Sequence, residues 1–274
     1  MAKTKKAELA KAAAPGALEA GFDYGDMMGA GYGGTGKDDF SIPYLTLLQD
    51  GSPQCKKKDG AYIEGAEEGM LFNTVTKEVF NGKDGILFQP CATQHVFVEW
   101  KPRTAGGGLV AVHKITDQTV LDSKAAAEKY GKFKIGENDL VETFYMVGQH
   151  VDEDGQALGQ LMITYTSTKI KVYKGCMSTL HSFLIPTSGG KKMNPPLFAN
   201  LLRVTSMEQT NAGQTSANFV LSPAKGSVAE SLLPPDSDLV ASGYGLSALV
   251  EAGDAKIDHG GGQASEAPKE EAPF

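Results

Sequence analysis

His95–Trp100, HVFVEW, alternates with a period of two: Val96, Val98 and Trp100 fall on one face, Phe97 and Glu99 on the other. That pattern is a strand signal, and it recurs through the middle of the chain. FSIPYLTLL opens the series, with Pro43 marking an edge or bulged position. GMLFNTVTKEVF and DGILFQPC lie on either side of NGKDG, which reads as a hairpin-type turn. GGGLVAVH is a further short strand. LVETFYMVGQHV and ALGQLMITYTS flank DEDGQ as a second hairpin, and LFANLLRVTSMEQTN and QTSANFVLSPAKG form a last antiparallel pair.

Two segments read as helices. VLDSKAAAEKYGKF is charged and alanine-rich. In STKIKVYKGCMSTLHSFLI, the residues Ile170, Tyr173, Met177, Leu180 and Leu184 fit a 3.6-residue period, with Ser167 or Thr168 as cap. Many short strands with turn signals and a few helices predict a mainly β fold, an elaborated barrel or sandwich. There is no fixed-period repeat, and the strand–helix alternation of a Rossmann-type sheet is absent.

Composition divides the 274 residues into three parts. Residues 1–36, rich in Ala, Gly and Lys, have no period able to bury a face and are expected to be a disordered arm. Residues 37–225 carry the strand signals. Residues 226–274 open with a possible helix, SVAESLL, broken by Pro234 and Pro235. The apolar piece DLVASGYGLSALVEAG follows, then an acidic tail of Gly, Ala, Pro and Glu expected to be disordered. No stretch approaches 18 apolar residues, and the N-terminus lacks a signal-type apolar core, so a cytoplasmic protein is expected. Cys55, Cys91 and Cys176 are odd in number and widely spaced, which predicts reduced thiols.

Motifs for chemistry are weak. GYGGTGKD has the glycines and Lys37 of a phosphate loop, but Asp38 replaces the hydroxyl and no strand–loop–helix context surrounds it. Cys176 and His181, five apart, and Cys91 and His95, in a strand, are poor metal pairs, and no Cys-x-x-Cys exists. A zinc site assembled across the fold is left open. No nucleophile elbow, His-Glu-x-x-His or paired-carboxylate pattern appears. The expectation is a protein that is not an enzyme, with no catalytic residue, cofactor or metal.

Charge is more informative. The net charge of −7 resides entirely in residues 226–274, which hold nine acids and two lysines; the middle region is neutral. From Gly155 to Met207 there is no Asp or Glu, while Lys169, Lys171, Lys174, Lys191, Lys192 and Arg203 fall there, interleaved with Tyr165, Tyr173 and Phe183. VFVEWKPR adds Phe97, Trp100, Lys101 and Arg103. Rings beside cations are what a single-stranded nucleic-acid groove uses, because bases stack on ring faces while cations neutralise phosphates. The nominated contacts are Phe97, Trp100, Lys101, Arg103, Lys169 and Lys171, with Tyr173, Lys174, Lys191, Lys192 and Arg203.

The tail joins a flexible spacer to Glu266, Glu270, Glu271, Pro273 and Phe274. A tethered apolar ring with a free carboxylate can dock in a basic pocket with an apolar floor. The KEEAPF ending resembles the acidic tip of bacterial and bacteriophage single-stranded DNA-binding proteins. FSIPYLTLLQDGSPQ, YIEGAEEGMLFNTVTKEVF, VFVEWKPR with GGGLVAVH, and TSTKIKVYKGCMSTL resemble phage-encoded members of that class. The resemblance implies an OB-like antiparallel β-barrel that coats single-stranded DNA without sequence preference. It implies recruitment of replication and recombination proteins through Glu270, Glu271, Pro273 and Phe274. The chain departs from the pattern in its larger barrel, neutral core and fewer tip acids. Other readings kept open are a structural or host-interaction protein without DNA binding, a strand-annealing recombination protein, and an ATPase using Lys37.

Overall fold

The computed structural model describes residues 42–127, 132–187, 189–211 and 214–253. Its strands are β1 (Tyr44–Leu47), β2 (Leu71–Asn73), β3 (Val79–Phe80), β4 (Ile86–Trp100), β5 (Leu109–Lys114) and β6 (Phe133–Ile135). They continue as β7 (Asn138–Val151), β8 (Ala157–Tyr165), β9 (Ile185–Pro186), β10 (Lys192–Met193), β11 (Leu202–Asn211) and β12 (Gln214–Pro223). The helices among these residues are α1 (Gln118–Ala126), α2 (Lys169–Ser182) and α3 (Asp238–Glu251). The fold is mainly β, as the sequence predicts.

Ten strands make one sheet in the order β12-β11-β4-β7-β8-β1-β2-β3, with β5 added on β4 and β6 on β7; β9 and β10 form a separate hairpin. The sheet curls strongly into an OB-like half-barrel. All its pairings are antiparallel except β1 with β8, where Tyr44 lies opposite Met162 in parallel. The long β4–β7 ladder is its spine, running from Leu87 opposite Val151 to Trp100 opposite Asp139, with a bulge between Pro90 and Ala92.

The two faces of that spine bury different clusters, as the alternation in HVFVEW requires. One face, the concave one, carries Phe88, Phe144 and Met146 with Leu45, Leu71, Ile163, Tyr165, Val204 and Phe219. The stripe Tyr173, Cys176 and Leu180 of α2 closes over it. Each large side chain buried there contributes about 1.5–3 kcal/mol. Gly148 makes room for the Phe88 ring, since a Cβ there would collide with that ring and with the Gln89 carbonyl. The same face continues past His95 to Phe97, which packs with Val120 of α1, Leu140 and Phe133. The other face buries Val96, Val98, Tyr145, Val147 and Met162 beneath Leu246 and Val250 of α3.

Helix α3 is held by a polar seam as well as by apolar contact. Gln89 donates from Nε2 to the carbonyls of Phe198 (2.7 Å) and Leu239 (2.8 Å). Gln149 donates to Gln89 Oε1 (3.2 Å) and to Ser242 Oγ (3.0 Å). Ser237 caps the helix by accepting from the Val240 N–H at 3.4 Å. The apolar piece DLVASGYGLSALVEAG therefore belongs to the folded body.

Four local expectations are corrected. NGKDG is not a hairpin between paired strands: β3 and β4 do not pair, because Gly82 runs against Gly69 and Ser206, whose N–H donates to the Gly82 carbonyl (2.8 Å). The hairpin in this region is Asn73–Glu78, where Asn73 Oδ1 accepts from the Val75 and Thr76 N–H groups (3.0 and 3.1 Å) and Lys77 adopts φ 63°. SVAESLL is a series of turns, and Leu184 lies beyond the end of α2, exposed and off the apolar stripe. Thr168 is the N-cap position of α2 but its hydroxyl makes no cap bond, and Ser167 takes φ 48°.

The two ends of the curled sheet are bridged by side chains without a strand ladder. Gln49, just past β1, donates from Nε2 to the Ala217 carbonyl (3.0 Å) and accepts the Ala217 N–H on Oε1 (3.1 Å). Ser206 Oγ donates to the Gly69 carbonyl nearby. Arms 1–36 and 254–274 lie outside the described residues.

Candidate nucleic-acid interface

Register brings His95 on β4 opposite Phe144 on β7. Their rings stack with centroids 3.9 Å apart and 16° between planes. This pair lies on the concave face between the part covered by α2 and the part covered by α1. Its floor is apolar: Phe144 and Tyr173 rings lie 4.7 Å apart, and Tyr173 also meets Tyr165 at 5.3 Å. The His95 side chain keeps 31% of its surface exposed, and Glu142, which hydrogen-bonds its Nε2 at 3.0 Å, keeps 27%.

Cations flank the stacked pair from both helices. Lys174 of α2 sets its Nζ 5.2 Å from the Phe144 ring centroid, and Lys124 of α1 sets its own 4.3 Å from the Phe97 ring. Both lysines are exposed. Burial lowers the His95 pKa, the Glu142 carboxylate opposes that, and Lys124 and Lys174 add to it, so the imidazole rests below its ordinary value. A neutral ring with an open edge between two ammonium groups can stack a base while the lysines meet phosphates.

Beyond this pair the same face carries a buried carboxylate. Glu99 accepts from Asn138 Nδ2 at 2.6 Å and meets His113 Nε2 at 2.8 Å. Burial alone would raise its pKa, but the hydrogen bonds from Asn138 and His113 and the attraction of His113 outweigh it and hold Glu99 below its ordinary value. The network ties β5 and the start of β7 to β4.

The nominated residues divide sharply by burial. Phe97 and Tyr173 are corrected: both are core side chains, so no base can reach their faces. Tyr165 is likewise fully buried. Trp100 is half-buried against the α3-covered cluster, with its Nε1 buried and without a hydrogen-bond partner among the described residues. Lys169 is also a correction. It is buried in the first turn of α2 with Nζ 5.4 Å from the Phe219 ring, and burial lowers its pKa to about 8. Arg203 is paired with Glu153 (3.1 and 3.3 Å) and donates to the Asp84 carbonyl (3.2 Å), so an acid just outside the acid-free window offsets its charge.

Lys171 and Lys174 are exposed on α2, Lys191 and Lys192 on the β9–β10 hairpin, and Lys101 and Arg103 in the β4–β5 connection. Of the nominated residues, Lys174, Tyr173 and Phe97 adjoin the His95 site, the Phe97 ring lying 5.9 Å from the imidazole. Trp100 stands about 17 Å from His95 along β4, at roughly 3.3 Å per residue. Glu270, Glu271, Pro273 and Phe274 lie outside the described residues. Sequence reasoning missed His95, Phe144, Glu142 and Lys124. The alternation of HVFVEW put His95 on the Phe97 face, but only the β4–β7 register reveals its partner.

All three cysteines are free thiols. Burial pushes Cys91 up to about 12 and Cys176 up to about 11, which makes both poor nucleophiles. Among the described residues, no group of three or more His, Cys, Asp or Glu is placed to hold a metal ion, and no helix is long and apolar enough to cross a membrane.

A curled OB-like β fold with a cation-flanked aromatic floor is the class these features define. The chain belongs to the Pam3 phage gp34-like protein family, whose model matches residues 10–242, and it is a phage protein. Neither a curated protein nor a solved structure matches it.

Proposed function

We propose that the chain binds single-stranded DNA without sequence preference during phage DNA replication or recombination, in the cytoplasm of the host cell. The observation that carries the reading is the His95–Phe144 stack between Lys124 and Lys174. The half-buried imidazole, stacked on Phe144, supplies the ring contact for a base, and the two lysines supply the salt-dependent attraction to phosphates. The acid-free stretch around α2 and the OB-like curl support the same reading. In this role Glu270, Glu271, Pro273 and Phe274 recruit replication or recombination proteins, and the chain has no catalytic residue, cofactor or metal.

Titration with single-stranded and duplex oligonucleotides over a salt series tests the reading. Preference for single strands, with affinity falling linearly in the logarithm of salt, is the expected result; no preference or a flat salt response overturns it. Annealing of complementary strands by rings or filaments would move the assignment to a strand-annealing protein. Deleting residues 266–274 is expected to leave DNA binding intact or tighter while abolishing partner capture.

A further inference from the structure

We infer that the β9–β10 hairpin is a second contact for the same strand, a short finger that grips phosphates with Lys191 and Lys192 and presents Met193 and Leu184 to a base. This inference rests on the proposed single-strand binding. The hairpin stands off the main sheet as a sheet of its own, with Met193 opposite Ile185 and Lys192 opposite Pro186. Met193 is 58% exposed and Leu184 47%, and both stand beside the two exposed lysines.

The hairpin is held firmly for so small an element. Thr187 donates from both its N–H (2.8 Å) and Oγ1 (2.9 Å) to the Lys191 carbonyl, and the Gly190 N–H returns to the Thr187 carbonyl (2.9 Å). At its base, Asn194 donates from Nδ2 to the carbonyls of His181 and Phe183, which locks the hairpin to the C-terminal end of α2. Asn194 is thus a positioning residue. A pre-ordered finger loses little freedom when it binds.

Charge and continuity specify the occupant. Residues 155–207 contain no acid, so the hairpin and the exposed face of α2 form one surface whose only charged side chains in that stretch are basic. Along α2, Lys174 precedes His181 by about 10 Å at 1.5 Å per residue. One OB fold accommodates roughly 4–16 nucleotides, so the longer end of that range is the strand length that would engage both His95 and the hairpin. A polyanion with apolar faces along its length fits both the lysines and the Met193–Leu184 pair.

The test compares fluorescence anisotropy of oligothymidylates of about 4 and about 16 nucleotides, the limits of that range. The Lys191→Glu/Lys192→Glu variant is expected to bind the longer strand at least tenfold more weakly. Lysine neutralisation of two phosphates predicts a decrease of about 1.4 in the slope of log affinity against log salt, at about 0.7 per phosphate. Binding of the shorter strand, seated at His95, is expected to stay unchanged. Met193→Ala is expected to weaken the longer strand's binding several-fold with the salt slope intact. Thermal melting of both variants should match the parent, since all three side chains are exposed. A parent chain that binds the longer strand, with both variants unaltered in affinity and slope, overturns this inference alone. A parent chain that binds neither strand overturns the proposed function and this inference with it.

Discussion

The side chain of Gln49 pairs with the backbone of Ala217 as a neighbouring strand would, donating to its carbonyl at 3.0 Å and accepting its N–H at 3.1 Å. One amide thus joins the end of β1 to β12. The tight turn that follows, where the Gln49 N–H donates to Ser52 Oγ (2.9 Å), sets its direction. Gln49→Ala is expected to cost about 1–3 kcal/mol in urea unfolding, because two backbone groups lose their partners. Gln49→Asn, one methylene shorter, should lose nearly as much; full stability in Gln49→Asn would show that the seam does not depend on reach.

Gly243 predicts a sign that helix propensity alone gets wrong. Alanine is favoured over glycine inside a helix by about 1 kcal/mol. At Gly243, however, a Cβ would lie 2.5 Å from Gln89 Nε2 and 3.0 Å from Phe198 Cβ. Gly243→Ala is therefore expected to lower the melting temperature and speed amide exchange in α3. Gly245→Ala, two residues away in open space, should raise the melting temperature. Equal shifts at the two sites would contradict the docking of α3.

Glu99 gives a pH dependence. Its folded pKa is depressed, so its contribution is fully present above the unfolded value of about 4.3 and is lost as pH falls through the folded value. Glu99→Gln is expected to be less stable than the parent at neutral pH and to show a flatter decline below about pH 4.3. Parallel curves for the two proteins would remove Glu99 from the acid response.

His95 gives a second pH dependence, in binding. Its pKa is lowered in the free protein, and a phosphate placed between Lys124 and Lys174 would raise it. Proton uptake on binding follows, so affinity for a single strand should rise as pH falls below the ordinary histidine value of about 6.5 toward the lowered pKa of the free ring, and His95→Gln should flatten that rise. An unchanged pH profile in His95→Gln would separate the imidazole from the strand.

The exposed lysines and the buried ring on this face should behave differently. Lys124→Ala and Lys174→Ala are each expected to reduce the salt slope by about 0.7 with little effect on stability. Phe97→Ala should instead destabilise by about 3–5 kcal/mol, as deletion of a buried ring does. Loss of affinity in a still-folded Phe97→Leu, with both lysine variants neutral, would relocate the site.

Local pattern predicted most of the strands because alternation and period are written in neighbouring residues. HVFVEW announced its two faces, and Ile170, Tyr173, Met177 and Leu180 announced α2. What was hidden depends on distant pairing. The parallel β1–β8 contact, the Gln49–Ala217 seam and the His95–Phe144 stack each join residues with no local mark of their partners. The site was misjudged for a related reason: Phe97 and Tyr173 look like stacking rings until packing turns them inward, whereas His95 looks ordinary until Phe144 lies beneath it. Charge misled at Arg203, whose partner Glu153 sits just beyond the acid-free window.

The parallel seat of β1 beside β8 sets a timetable for synthesis. A chain made from its N-terminus completes β1 first, yet Tyr44 meets Met162 only roughly 120 residues later, on the order of ten seconds at about 5–20 residues per second. During that interval β1 can pair only with β2, Leu47 opposite Leu71, and the β4–β7–β8 meander is the earliest surface able to seat the other edge of β1. The first of the described strands to be made is thus one of the last to complete its pairing.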